Sequence, residues 1–577
     1  MPTGRDLITN SNMRLPQRTT CTAGMASHRF LRAERLSSLR LASRGACRRV
    51  EQKPEDKDRE EFKVAVRYFD WLAHHTRRAA DKPMMIDLHS GREITYGKAN
   101  ERAIRLANWL RSVGVARGDR IAILSPNGPE FFDLQFACGK IGGIMLPLNW
   151  RLAVPELEYI IGDSAPKVLI HDISFQAQAD ELKKRCKIAT LLCIDADRPD
   201  SDYEEALAGQ KSEIVPEALT HDDYSMIMYT SGTTGHPKGS ITTYGMNFYN
   251  CVNLGNPALV NQNSKHLAIL PLFHTGGLNC YANPIFHAGG TVMIMRTFDP
   301  GKCLELIDDP KVGLTHFFGV PANYLFMMQH PKFQSVDLSR LVIAGVGGAP
   351  CALPILKGWA ARGIALQQGF GMTETSPSVL VLDAKDAIRK VGSTGLPVLH
   401  NEVRIVDENG KDVPTGEMGE LWVRGPNITP GYWNKPEATA KTITDGWLHT
   451  GDAAKVDEDG FYYIVDRTKD MYISGGENVY PAEVESVIYQ LPQIGEVAVI
   501  GVPNERWGEV GMVVATRKPG TQLSEEEIIG HCVKNLAKFK VPQKVAFIDA
   551  LPRNATGKVL KRELRVKFIG ADKPAIS

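Results

Sequence analysis

The feature that most narrows the possible folds is an alternation, from Tyr96 onward, of short apolar runs with amphipathic stretches. "KANERAIRLANWLRSVG" sets Ala103, Leu106, Ala107 and Leu110 on one helical face and stops at a glycine, the spacing of a helix with one buried side. The apolar run "DRIAILSPN" follows, then the helix-like "PEFFDLQFACGKIGG", then "IMLPLN". The same alternation returns at "PKVLIHD" and "TLLCID". Strand and helix in turn predict an α/β fold with a mostly parallel sheet.

Between about Asn401 and Asp466 the texture changes. "EVRIVDENGKDVPTGEMGELWVRG" and "KVDEDGFYYIVDR" alternate residue by residue and are broken by Asn-Gly and Asp-Gly turns, so this part is expected to be antiparallel and rich in hairpins. After Arg467, "PAEVESVIYQL" turns Val484, Val487, Ile488 and Leu491 one way behind a first-turn proline, and "SEEEIIGHCVKNL" opens with a Ser524 to Glu527 capping box. The tail therefore reads as a small α+β domain. A chain of 577 residues is too long for one core, and we divide it into an arm over 1–61, a large domain over 62–467 and a small one over 468–577. No internal repeat is visible at any period.

Directly after the apolar "YSMIMY" comes "TSGTTGHPKG", residues 230 to 239, with three glycines, four hydroxyls and one lysine. Backbone amides without bulky neighbours, hydroxyls and a cation suit a polyphosphate. A Walker A loop would put its lysine directly after a glycine and start a helix there. Here His236 and Pro237 separate Gly235 from Lys238, and Gly239 replaces the metal-binding hydroxyl, so that motif fails.

"YTSGTTGHPKG" resembles the signature of the adenylate-forming superfamily, which holds acyl-CoA synthetases, peptide-synthetase adenylation domains and luciferases. "FGMTE" at 370 to 374, "GYWNKPEAT" at 431 to 439, "WLHTGD" at 447 to 452, "VDRTKDMYISGGENVYPAEVE" at 465 to 485 and "PRNATGK" at 552 to 558 follow in the family's order. The resemblance implies a large N-terminal AMP-binding domain of α/β subdomains with a β-barrel-like subdomain, then a small mobile C-terminal domain. It also implies a reaction in which a carboxylic acid, ATP, Mg2+ and CoA meet. The acid attacks the α-phosphorus, pyrophosphate leaves, and the acyl-adenylate passes its acyl group to CoA. Two anions must be brought together, so positive charge and oriented donors are needed around the phosphates.

By this resemblance Thr230, Ser231, Gly232, Thr233, Thr234 and Gly235 with Lys238 cradle the departing phosphates. In "QQGFGMTE", Gln368, Gly369, Phe370, Gly371, Met372 and Thr373 lie along the nucleotide. Phe370 stacks on adenine, Thr373 touches the α-phosphate, and Glu374 holds magnesium, a hard cation that takes carboxylate and phosphate oxygens. "GVGGAP", from Gly345 to Pro350 and including Gly347 and Gly348, lets backbone approach nucleotide and acyl group. Asp452 accepts the ribose hydroxyls beside Arg467. Lys558 bridges carboxylate and α-phosphate oxygens, Lys469 is the hinge, and Ser474, Gly475 and Gly476 line the pantetheine path.

"LFHTGGLN" matches the family segment near the reacting carboxylate, with His274 as a gate or positioning residue. Gly276 and Gly277 stand where some aryl-CoA ligases carry bulkier groups, so a deep apolar pocket for a medium or long fatty acid is expected. A 4-coumarate or feruloyl-type aryl acid is the alternative, as is an adenylation enzyme that loads a carrier protein. No lysine or arginine in these segments is placed to neutralise a second carboxylate.

A net charge of +2 gives no electrostatic reason to expect nucleic acid, and ten cysteines without C-x-x-C pairs read as reduced thiols. No apolar run is long enough to span a membrane, although peripheral contact and the oligomeric state stay open. The first fifty residues hold ten arginines, no lysine and only Asp6 and Glu34 as acids. That is transit-peptide composition, and also what an untranslated extension before Met13 or Met25 would resemble. A cytoplasmic location is expected, with the mitochondrial matrix as the alternative.

Overall fold

Four sheets organise the computed structural model, which describes residues 65–230, 237–467, 470–474, 477–554 and 557–570. Two are the predicted α/β layers. In the six-stranded sheet, Thr190–Ile194, Val168–Asp172, Arg120–Leu124, Ile144–Pro147 and Tyr224–Thr230 run parallel, and Lys238–Thr243 closes the edge antiparallel. The run of four apolar residues at 121–124 in this sheet has a direct cause. Ile121 and Ile123 enter one core, while Ala122 and Leu124 enter another on the opposite face, as in a strand covered on both sides.

The nine-stranded sheet is built around Pro83–Asp87, Thr291–Ile294, Lys265–Ala268, His316–Gly319, Ile343–Val346 and Gln367–Gly371, all parallel to their neighbours in that order. Antiparallel strands extend both ends. The helix Tyr96–Ser112 starts where the Thr95 hydroxyl accepts the Lys98 amide and buries Ala99, Ala103, Leu106, Ala107 and Leu110. Each fully buried leucine of that stripe contributes roughly 1.5–3 kcal/mol.

The region between 402 and 467 is antiparallel, as expected, with Glu402–Val406, Gly419–Arg424, Trp447–Val456 and Tyr462–Arg467 paired in sequence order. Gly410 and Gly460 take positive φ at the Asn-Gly and Asp-Gly turns, where a side chain would be strained. The tail builds its own sheet from Tyr472–Ser474, Glu477–Val479, Ile494–Asn504, Gly508–Arg517 and Lys544–Phe547. The helices Pro481–Ile488 and Glu525–Asn535 pack on it, and the Ser524 to Glu527 capping box forms with bonds of 2.7 and 3.2 Å.

Where the two parts of the chain meet, Asp466 accepts the Ala482 amide at 2.9 Å. Beside it Lys561 pairs with Glu485 at 2.8 Å, and Arg565 pairs with Asp470 at 2.8 Å.

One core group gives the fold a pH dependence. His266 is only 3% exposed and faces the His316 carbonyl at 3.2 Å. Burial pushes its pKa from 6.5 down to about 3, so the folded chain excludes a proton that the unfolded chain binds. Its contribution is present above pH 6.5 and is lost as pH falls towards 3. Urea titrations are expected to show stability falling from pH 7 to 4.5, by about 2 kcal/mol from this group. His266→Gln flattens that slope; an unchanged slope would refute the assignment.

Candidate active site

Several of the predicted site residues lie at the carboxyl ends of parallel strands, Thr230, Gly347, Gly348 and the 368–371 segment among them, where open α/β sheets hold ligands. Thr230 ends its strand opposite Lys238 in the hairpin register, and its hydroxyl lies 3.5 Å from the Lys238 carbonyl. The loop is thus pinned at both ends. Ser231, Gly232, Thr233, Thr234 and Gly235 lie outside the described residues.

The motif at 367 to 374 leaves its sheet through a hairpin so tight that Gly371 admits no side chain. A Cβ there would lie 1.6 Å from the Pro377 carbonyl oxygen. That carbonyl also accepts the Met372 amide at 3.1 Å. Thr373 and Glu374 follow in a short buried turn. Glu374 is 6% exposed, its backbone oxygen accepts the Thr429 amide at 2.8 Å, and its Oε1 accepts the Tyr432 hydroxyl at 2.9 Å. The Lys238 ammonium sits 5.2 Å from the centre of the same Tyr432 ring. A buried carboxylate fixed through one oxygen is the kind of hard oxygen ligand that fits magnesium.

Gly347 and Gly348 extend the strand Ile343–Val346. A Cβ on Gly347 would come within 3.0 Å of the Gly369 carbonyl, and Gly348 has φ +78°, so two glycine-lined backbones run side by side. Phe370 packs one edge of its ring on the Val379, Leu380 and Leu421 cluster. The Gln368 side-chain amide donates to the Ser393 carbonyl at 2.9 Å, and its backbone carbonyl accepts the Leu382 amide at 2.8 Å. Asp452 is 4% exposed in the strand Trp447–Val456 and opposite Arg467 in the register.

The tail reaches this site. Lys558 is held by Asn554, whose Oδ1 accepts the Lys558 amide and whose own amide donates to the Lys558 carbonyl, both at 2.8 Å. Gly557 beside it has φ +81°, and a Cβ there would be 3.0 Å from Val320. His274 caps the short helix Thr275–Gly277 by accepting the Gly276 amide at 3.1 Å. Burial pushes its pKa down to about 4, and the nearby Lys558 ammonium acts in the same direction, so the imidazole is neutral at pH 7.

Ser474 is buried in the tail sheet opposite Gly508. Gly475, Gly476 and Lys469 lie outside the described residues. A side chain on Gly277 would meet the Pro271 carbonyl oxygen at 2.3 Å, so this glycine is required by close backbone packing whatever the shape of the pocket. Gly276 has only His274 and Leu270 side-chain atoms near its missing Cβ, at 3.4 and 3.6 Å. Sequence reasoning assigned no task to Tyr432, although it lies inside a recognised motif. It also overlooked Tyr281, stacked on Phe318 at 5.3 Å and packed under Gly345.

Comparison with known proteins agrees with this geometry. The model of the AMP-binding enzyme family matches residues 72–433, and that of the AMP-binding enzyme C-terminal domain matches 483–558. The feruloyl-CoA synthase of an Amycolatopsis species is 43% identical over 480 residues, covering 83% of this chain and 95% of that one. The long-chain-fatty-acid–CoA ligase FadD13 of Mycobacterium tuberculosis is 38% identical over 477 residues, 82% and 93% of the two chains. ATP-bound MatB from Rhodopseudomonas palustris superposes with a TM-score of 0.81 at 33% identity, over 87% of this chain and 99% of that one, against 0.70 for its apo form. The chain belongs to the AMP-binding enzymes of the adenylate-forming superfamily, and is an AMP-forming ligase that joins a carboxylic acid to CoA with ATP and magnesium.

Proposed function

We propose that the acid is a hydroxycinnamate-type aryl acid, in place of the medium or long fatty acid expected from the glycines at 276 and 277. The observation that carries this reading is the 43% identity to a feruloyl-CoA synthase across 95% of its length. Two features support it. Gly277 is accounted for by backbone packing, which weakens the argument for a long aliphatic tunnel. The stacked Tyr281 and Phe318 rings lie at 21° to each other against Gly345, and flat aromatic walls suit a planar ring.

In this reading the carboxylate oxygen attacks the α-phosphorus of ATP and pyrophosphate departs. Lys558 compensates the charge that builds between them, and Thr230 with Lys238 and the loop between them hold the leaving phosphates. Magnesium at Glu374 would neutralise phosphate charge. Thr373 contacts the α-phosphate, Phe370 stacks on adenine, and Asp452 with Arg467 holds the ribose. Neutral His274 positions the carboxylate without repelling Lys558. The tail, 468–577, then turns about Lys469 and presents Ser474 to Gly476 to CoA, whose sulfur attacks the acyl carbon and displaces AMP. The superposition on ATP-bound MatB, better than on its apo form, supports assigning the observed arrangement to the first of these steps.

The test is a panel of ferulate, 4-coumarate, indoleacetate and dodecanoate with ATP, magnesium and CoA. Thioester formation with ferulate or 4-coumarate is expected to exceed that with dodecanoate by at least about tenfold in kcat/KM. The reverse order overturns the aryl reading. Pyrophosphate without thioester from any acid would instead indicate carrier-protein loading.

A further inference from the structure

We propose that Tyr432 is a positioning residue for the phosphate and metal end of the site, its hydroxyl aiming the Glu374 carboxylate and its ring parking the Lys238 ammonium. The inference rests on the roles given above to Glu374 and Lys238. Three segments distant in sequence are stitched at this point. Gly431 accepts the Ile241 amide at 3.1 Å, Trp433 donates to the Gly239 carbonyl at 2.8 Å, and Ser240 pairs with Tyr432 in an antiparallel bridge. On the other side the Thr429 amide binds the Glu374 carbonyl, and the Tyr432 amide donates to the Thr439 hydroxyl at 2.9 Å. The backbone of 429–433 is therefore fixed to both the lysine strand and the glutamate turn, and the ring between them inherits that placement.

Two contacts of the phenol, of different chemistry, bear on the site. Its hydroxyl donates to Glu374 Oε1 at 2.9 Å. A donor on Oε1 holds the rotamer and turns Oε2 into the free-standing ligand direction for a hard cation. The ring face lies 5.2 Å from the Lys238 ammonium, close enough for a cation–π attraction that holds the lysine until phosphate replaces the ring as its partner. Tyr432 thus spaces one anion and one cation that would otherwise collapse into an ion pair and block the site.

The two contacts separate by mutation. Tyr432→Phe keeps the ring and loses the hydroxyl. The magnesium concentration giving half-maximal ATP–pyrophosphate exchange is expected to rise about tenfold, and calorimetric binding of ATP in magnesium to weaken similarly, while binding of ATP in EDTA is unchanged. Tyr432→Leu removes the ring as well and also weakens ATP binding in EDTA, by about threefold to tenfold. A Tyr432→Phe protein with wild-type magnesium dependence and wild-type calorimetry overturns the inference, and so does an equal loss with and without magnesium, the mark of a merely structural residue. Glu374→Gln separates the two levels. If it raises the magnesium requirement while Tyr432→Phe does not, only the positioning role fails; if it leaves that requirement unchanged, the metal assignment of Glu374 fails with it.

Discussion

Lys558→Ala is expected to slow ATP–pyrophosphate exchange by about 10²–10³-fold, the effect of removing one preorganised charge donor from a reacting phosphate. The geometry makes the loss specific to one half of the reaction. Asn554 clamps both sides of the Lys558 peptide, and Gly557 sets the loop tip against Val320 of the large domain. The ammonium is near enough to lower the His274 pKa. It is thus delivered to the acid's end of the site only while the tail holds this orientation. Thioester formation from a supplied acyl-adenylate and CoA should be nearly unaffected if, as proposed, the tail turns Lys558 away before that step. The two rates are measured separately, by exchange and by single-turnover quench. Unchanged exchange would remove Lys558 from the chemistry, and equal loss in both assays would make it a folding residue.

Gly371→Ala is expected to be the most damaging methyl in the site. The added carbon would sit 1.6 Å from the Pro377 oxygen and 2.6 Å from its carbonyl carbon, and these are backbone atoms that no rotamer change can move aside. The hairpin must open, taking Phe370, Thr373 and Glu374 with it. Overpacking of a core costs about 1–3 kcal/mol and sometimes more, and a backbone clash this close belongs at or above the upper end. Gly369→Ala is the matched control, since its added carbon would lie an ordinary 3.4 Å from the Leu380 oxygen. Urea denaturation of the two variants should differ by about 2 kcal/mol or more. Equal midpoints would show that the hairpin relaxes.

Particular residues show what could be read from the sequence. The parallel layers were legible because strands such as Arg120–Leu124 are apolar at every position after the first and helices such as Tyr96–Ser112 at every third or fourth. Phosphate chemistry was legible because it needs small residues, hydroxyls and a lysine in consecutive positions. Tyr432 escaped because its meaning depends on Lys238 and Glu374 arriving from other segments, and nothing local in "GYWNKPEAT" signals either partner. Gly277 misled for the opposite reason. A glycine beside a substrate segment suggests room for substrate, but this one faces the Leu270 and Pro271 carbonyls. Only the three-dimensional path of 270–271 distinguishes these two uses of a missing side chain.

The ion pairs at the junction have a mechanical meaning. Lys561 and Glu485 both belong to the tail, as do Arg565 and Asp470, whereas Asp466 lies on the strand that stays behind. A tail that swivels just beyond this strand travels with each cation already matched to its own anion, like a gearbox carrying its lubricant. Such a turn must break the bond from the Ala482 amide to Asp466 and draw Lys561 away from the buried Asp466 carboxylate whose charge it feels, so Asp466 is where the motion meets resistance.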